Sequence, residues 1–117
     1  MTERLDVQTY LPLTEATFFI LLSLSPGHKH GYAIMKEVQA LSQDRIRLST
    51  GTLYGSLKRL LDLGWIKRVP DRGAPETARE RKAYALTDLG RRVFDAELTR
   101  LRTLVETAQQ RPLRGQI

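Results

Sequence analysis

Apolar residues follow a helical period over three successive stretches, give way to two short runs of strand character, then return to a helical period for one long final stretch. Recurrence at i, i+3, i+4 and i+7 marks one face of a helix, whereas alternation marks a half-buried strand. The first stretch predicts a helix over residues 14–24, with Thr14 as cap, Glu15 at the positive end of the dipole and Ser25-Pro26-Gly27 as terminator. Its run of Ala16, Phe18, Phe19, Ile20, Leu21, Leu22 and Leu24 leaves almost no polar face. Such a helix is buried all round, so something beyond the local core is expected to cover one side. The second helix is predicted over 31–41, with Tyr32, Met35, Val38 and Leu41 inward and Lys36, Glu37 and Gln39 outward. Residues 43–48 read as a connector with a short extended piece.

The third helix is predicted to start near Thr50, capped by Ser49 and stopped by Gly64. Leu53, Leu57, Leu60 and Leu61 give it one firm apolar face. Strands are expected at 65–69 and 81–86, joined through 70–80, where Pro, Gly and charge predict an exposed hairpin tip. Trp65 is expected at the base of that hairpin. Thr87 then caps a helix that runs to about residue 110, short of Pro112. Helix, helix, helix, hairpin is the order of a winged helix-turn-helix. The fold expected is therefore mainly α with a small β-hairpin. A loose arm spans 1–12, the winged helix-turn-helix domain 13–86, a C-terminal dimerisation helix 87–110 and a flexible tail 111–117.

Charge sharpens this picture. The chain of 117 residues carries a formal net charge of +6. Residues 1–50 hold five Lys/Arg against five Asp/Glu, whereas residues 51–82 hold eight against four. Positive charge gathered in one segment suits a phosphate backbone, and duplex DNA is the expected partner. In a winged helix the third helix enters the major groove and the hairpin reaches the backbone or minor groove. The surface opposite the leucines carries Gly51, Thr52, Gly55, Lys58, Arg59 and Asp62, with Ser56 on the flank and Tyr54 at the border. The candidate DNA-binding residues are thus Ser49, Thr50, Thr52, Tyr54, Ser56, Lys58 and Arg59. From the hairpin, whose cations are Lys67, Arg68, Arg72, Arg79, Arg81 and Lys82, the tip residues Arg72 and Arg79 join them.

In the last helix Phe94, Leu98, Leu101, Val105 and Ala108 are spaced 4, 3, 4 and 3 residues apart, a heptad seam. Leu89, Val93 and Ala96 form a second strip beside it. One strip covers the chain's own domain and the other a second copy, with Phe18, Phe19 and Leu22 of the first helix completing the expected homodimer surface. Phe18, Phe19, Phe94 and Leu101 are also the candidate lining of a small-molecule effector cavity at the dimer centre; a filled core is the competing reading.

Other chemistries find little support. With no cysteine there is no disulfide and no thiolate ligand. His28-Lys29-His30 lacks a third ligand nearby, so no metal and no cofactor are expected. Gly51 and Gly55-Ser56 lack the lysine of a phosphate-binding loop, and no nucleophile elbow or carboxylate pair suggests an enzyme. The longest apolar run, 18–22, is too short for a bilayer, and residues 1–12 do not read as a signal peptide. A cytoplasmic, nucleoid-associated protein is expected. The alternatives are a winged helix used as a protein-interaction module and, last, an RNA binder, because Tyr54 alone offers an aromatic ring on the third helix.

Taken together, His30-Gly31-Tyr32-Ala33-Ile34, Gly51-Thr52-Leu53-Tyr54 with Leu57 and Leu60, Gly64-Trp65-Ile66, and Tyr84-Ala85-Leu86-Thr87 with Gly90 resemble the PadR family of bacterial transcriptional regulators. The likeness covers about residues 13–108. It implies a dimeric winged-helix repressor, paired through its C-terminal helix and often released from DNA by a phenolic compound, drug or other small molecule. Some drug-binding relatives place a tryptophan on that helix where, by ungapped reading, this chain has Leu101.

Overall fold

The computed structural model describes residues 7–70 and 83–112. Its elements are α1 (Glu15–Leu24), β1 (Lys29–His30), α2 (Gly31–Leu41), α3 (Thr50–Leu63), β2 (Ile66–Val69), β3 (Ala83–Leu86) and α4 (Asp88–Gln110). Local chemistry sets most of these limits. Thr14, Ser49 and Thr87 each sit in extended backbone and accept a hydrogen bond from the N–H three residues on. Gly64 closes α3 at φ 80°, a left-handed conformation that favours glycine.

Ile20, Leu21 and Leu24 of α1, Ile34 and Val38 of α2, and Leu53, Leu57 and Leu60 of α3 form the centre of the core. Trp65, Ile66, Tyr84, Val93 and Phe94 extend it beneath the sheet and along α4. The turn between α2 and α3 is held from inside. Buried Ser42 accepts a hydrogen bond from the Ile46 N–H at 2.9 Å and donates to the Gln39 carbonyl at 3.2 Å. Asp44, at φ 67°, ties back to Gln39 through its backbone N–H and its carboxylate, both at 2.9 Å. These bonds fix the angle at which α3 leaves α2.

The structure departs from the sequence reading in three places. The sheet has three antiparallel strands in the order β1-β3-β2, and β1 adds a strand to the two-stranded hairpin that was expected. On α2 the buried stripe is Gly31, Ile34 and Val38, so Tyr32 and Leu41 point outward and are 64% and 41% exposed. The reason is packing at the helix start: a Cβ on Gly31 would lie 2.5 Å from the Tyr54 hydroxyl, so this face meets α3 and Tyr32 turns away. The described part of the expected loose arm is ordered by contact, because residues 7–9 are helical, Val7 enters the core and the Tyr10 ring meets Trp65 edge-on at 5.2 Å. Within the chain α1 is only partly sealed: Phe18, Phe19 and Leu22 remain half-buried, which leaves one side for something beyond the local core to cover.

A charged residue sits inside the α4 packing. Glu97 is 2% exposed. It accepts two hydrogen bonds from Arg100, at 2.7 and 2.9 Å, and one from the Leu13 N–H at 3.1 Å. The Arg100 guanidinium holds this carboxyl below the usual glutamate range; burial opposes the shift and the Leu13 N–H reinforces it. A depressed folded-state value contributes stability above the unfolded-state value of about 4.3, and that contribution is lost as pH falls through the folded value. Glu97→Gln is expected to cost about 1–3 kcal/mol at neutral pH, since hydrogen bonds to a charged acceptor are replaced by weaker ones. Its urea midpoint is also expected to fall less than the parent's as pH drops from 6 to about 3. Parallel acid sensitivities would rule out Glu97 as the acid-labile tie.

Candidate nucleic-acid interface

On α3 Leu53, Leu57 and Leu60 are buried, and most of the residues between them face water. Thr50, Gly51, Thr52, Gly55, Lys58 and Arg59 are exposed, Tyr54 is 45% exposed and Ser56 is half-buried. The first turn is small and polar, which permits close approach to a base edge or phosphate. Ser49 is already committed: its hydroxyl accepts from the Thr52 N–H at 3.1 Å and donates to the Thr52 hydroxyl at 3.0 Å. That second bond leaves the Thr52 proton available to an outside acceptor. Lys58 reaches back to Asp62 one turn on, at 3.5 Å. Tyr54 has its ring and hydroxyl against Gly31, so it anchors α3 on the start of α2 while presenting its open side to solvent. Ser49, Thr50, Thr52, Tyr54, Lys58 and Arg59 are therefore all exposed along α3 and its cap, with Ser56 half-buried among them. Arg72 and Arg79 lie outside the described residues.

Strand parity divides the cations of β2. Arg68 stands opposite Tyr84 and Ile66 opposite Leu86 in the β2–β3 register. Arg68 is thus on the strand face that Ile66 and Tyr84 present to α3, and Lys67 is on the other. Between α3 and the sheet runs a groove of about 540 Å³, to which Arg68 and Tyr84 contribute from the strands. The sequence reading had grouped Lys67 and Arg68 together; pairing register separates them.

A tight joint connects this surface to α4. The Thr87 hydroxyl donates to the Gly64 carbonyl at 2.6 Å and accepts from the Gly90 N–H at 3.0 Å. The Thr87 N–H donates to the Trp65 carbonyl at 3.0 Å. The end of α3, the buried Trp65 and the first turn of α4 are therefore one hydrogen-bonded unit. Along α4, Phe94 is buried and stacks at a tilt on Phe18, 5.4 Å between ring centres. Phe18 also meets Phe19 edge-on at 5.5 Å, so three of the four proposed effector-lining side chains pack together within one chain. Leu98 and Leu101 are half-buried, whereas Leu104 and Val105 are each 54% exposed and Ala108 is fully outward. Leu104 was absent from the heptad reading, which followed one seam and overlooked its neighbour.

Among the described residues no acid and histidine cluster is arranged to hold a metal ion, and no helix is long and apolar enough to cross a membrane.

The fold and this surface define the winged helix-turn-helix class with an appended C-terminal helix. Residues 20–96 match the transcriptional regulator PadR-like family, and the chain belongs to it. A PadR family transcription regulator from Clostridium difficile shares 26% identity and a TM-score of 0.68, over 83% of this chain and 97% of that one. Bacillus subtilis PadR in complex with operator DNA shares 28% identity and a TM-score of 0.63, over 74% of this chain and 47% of that one. An uncharacterized 37.1 kDa protein in transposon TN4556 of Streptomyces fradiae is 31% identical over 91 residues. That match covers 70% of this chain, which spans about a quarter, 26%, of the Streptomyces protein.

Proposed function

We propose that this protein is a sequence-specific DNA-binding regulator that acts in the cytoplasm as a homodimeric repressor on an inverted-repeat operator. The observation that carries the reading is the outer surface of α3: a small polar first turn followed by Lys58 and Arg59, opposite the buried Leu53, Leu57 and Leu60. Such a helix serves as a major-groove reader, with Thr52, Ser56 and Arg59 toward base edges and Tyr54 toward a phosphate. The Bacillus subtilis relative bound to operator DNA supports the same partner. Release by a small molecule is part of the proposal. A ligand would act by binding better to a dimer whose reading helices are wrongly spaced than to the DNA-competent one.

The test begins with selection of a duplex from a random pool by the full chain. On that duplex Arg59→Ala is expected to cost about 1–3 kcal/mol, with relaxed preference at one base pair if Arg59 reads a guanine. If each protomer neutralises about four phosphates, log affinity falls with log salt at a slope of roughly −7. A salt-independent interaction, or unchanged affinity after replacing both Thr52 and Arg59, would defeat the assignment and leave a protein-interaction module as the better account.

A further inference from the structure

The groove between α3 and the sheet is amphipathic rather than simply cationic. Its apolar floor is the open ring of Tyr54 and half-buried Leu61, over buried Leu57 and Tyr84; Lys58 and Asp62 line it from the helix and Arg68 from the strand. A bound sugar–phosphate strand presents the same pairing of surfaces, an apolar deoxyribose edge and an anionic phosphate. The floor suits the first and the two cations suit the second. Asp62 does not fit such an occupant. It is a carboxylate on the wall of a site for an anion, and it holds the Lys58 ammonium at 3.5 Å. Both partners are largely exposed, at 79% and 69% of their side chains, so the pair contributes little to folding.

We infer that this groove seats one sugar–phosphate strand of duplex DNA between Lys58 and Arg68, and that Asp62 attenuates the binding by repelling the phosphate and competing for Lys58. The inference rests on the DNA-binding reading above and adds to it an element that weakens affinity, together with a phosphate-contacting residue, Arg68, outside the reading helix. Attenuation has a physical use. A uniform loss of backbone affinity leaves the ratio of specific to non-specific binding unchanged but speeds departure from any site, so the protein exchanges faster among sites. A carboxylate in the backbone seat lowers affinity for every sequence without touching the base-reading turn at Thr52.

The experiment uses the full chain and the duplex it selects from a random pool, with affinities measured across a salt series. Asp62→Asn is expected to tighten binding about 3-fold per groove, or roughly 10-fold for a dimer with two, from removal of one charge near a phosphate in water. Part of that gain is expected to vanish in the Lys58→Gln background, where Asp62 has no lysine to sequester. Arg68→Gln is expected to flatten the salt slope by about one unit per groove. Lys67→Gln, on the opposite face of the same strand, is expected to leave it unchanged. Unaltered or weaker binding by Asp62→Asn, or equal flattening by Lys67→Gln and Arg68→Gln, overturns the inference while parental binding to the duplex stands. Failure of the parent to bind any duplex instead removes the reading beneath it. Folding is checked by thermal melts, in which all four variants are expected to match the parent.

Discussion

Gly90→Ala is expected to be the most damaging single-atom-scale change in the molecule, lowering stability by about 3 kcal/mol or more. Helix propensity alone predicts the reverse. Gly90 lies in the first turn of α4, and alanine is favoured over glycine in helices by about 1 kcal/mol. Space decides against propensity. A Cβ at position 90 would be driven into the backbone carbonyl of Trp65, with the Trp65 carbonyl carbon only 2.9 Å away. That carbonyl cannot swing aside, because it accepts the Thr87 N–H at 3.0 Å and belongs to a residue buried in the core. Relief requires α4 to lift from the sheet, which breaks the Thr87 cap and its bond to Gly64. Gly55 provides the opposing case, since nothing lies within 4 Å of its missing Cβ. Gly55→Ala is expected to stabilise the fold by up to about 1 kcal/mol. Thermal melts of the two variants should move in opposite directions, by roughly 10 °C down for Gly90→Ala and a few degrees up for Gly55→Ala. A Gly90→Ala protein as stable as its parent would mean that α4 does not pack against Trp65 as closely as it does here.

The features legible in the sequence were those set by neighbours in the chain. Ser49 and Thr87 are capping residues followed by helical periods, and Gly64 follows the last leucine of its helix; each was readable within a few residues. The leucine face of α3 defines its outer surface by elimination, so the exposure of Thr50, Thr52, Lys58 and Arg59 is legible in the sequence. What escaped depends on pairings remote in sequence. β1 is two residues long and exists because Lys29 and His30 pair with Tyr84 and Ala83. Glu97 reads as a surface charge on an amphipathic helix, and its burial reflects the N–H of Leu13, 84 positions away. Tyr32 has the right spacing to be inward, yet Gly31 takes that place because Tyr54 needs a neighbour without a side chain. The different environments of Lys67 and Arg68 follow from register between strands, which composition does not encode. Each of these matters to function through position: β1 and the Thr87 joint hold the sheet and α3 in fixed relation, and that relation creates the groove.

Leu104→Glu with Val105→Glu is expected to convert the proposed dimer into a folded monomer and to cost specific DNA affinity on the order of a thousandfold. The seam on α4 divides at its middle. Phe94 and Leu98 pack on the chain's own core, whereas every residue from Arg102 to Gln110 is exposed in a single copy. The last nine residues of α4 extend past the chain's own core, so in a single copy tertiary packing adds nothing to their helical stability. Apolar side chains at 104, 105 and 108 on that projection, beside half-buried Phe18, Phe19 and Leu22 on α1, supply the surface a second copy would cover. Truncating α4 would confound loss of pairing with loss of core, since Val93, Phe94 and Glu97 are buried in the protomer. The double glutamate avoids this, because both positions are already 54% open and surface changes of that kind alter monomer stability by only about 0.5 kcal/mol. Light scattering would report the change in mass, and melts at high dilution would report the retained fold. On DNA, a twofold dimer places two α3 helices on half-sites about 10 bp apart or a multiple of it, so both halves contribute to affinity. The monomer keeps one half, with non-specific affinity and a salt slope near half the parent's. A parent that scatters as a monomer at micromolar concentration, or a double variant that still dimerises, would place the contact elsewhere and return the distal α4 surface to solvent.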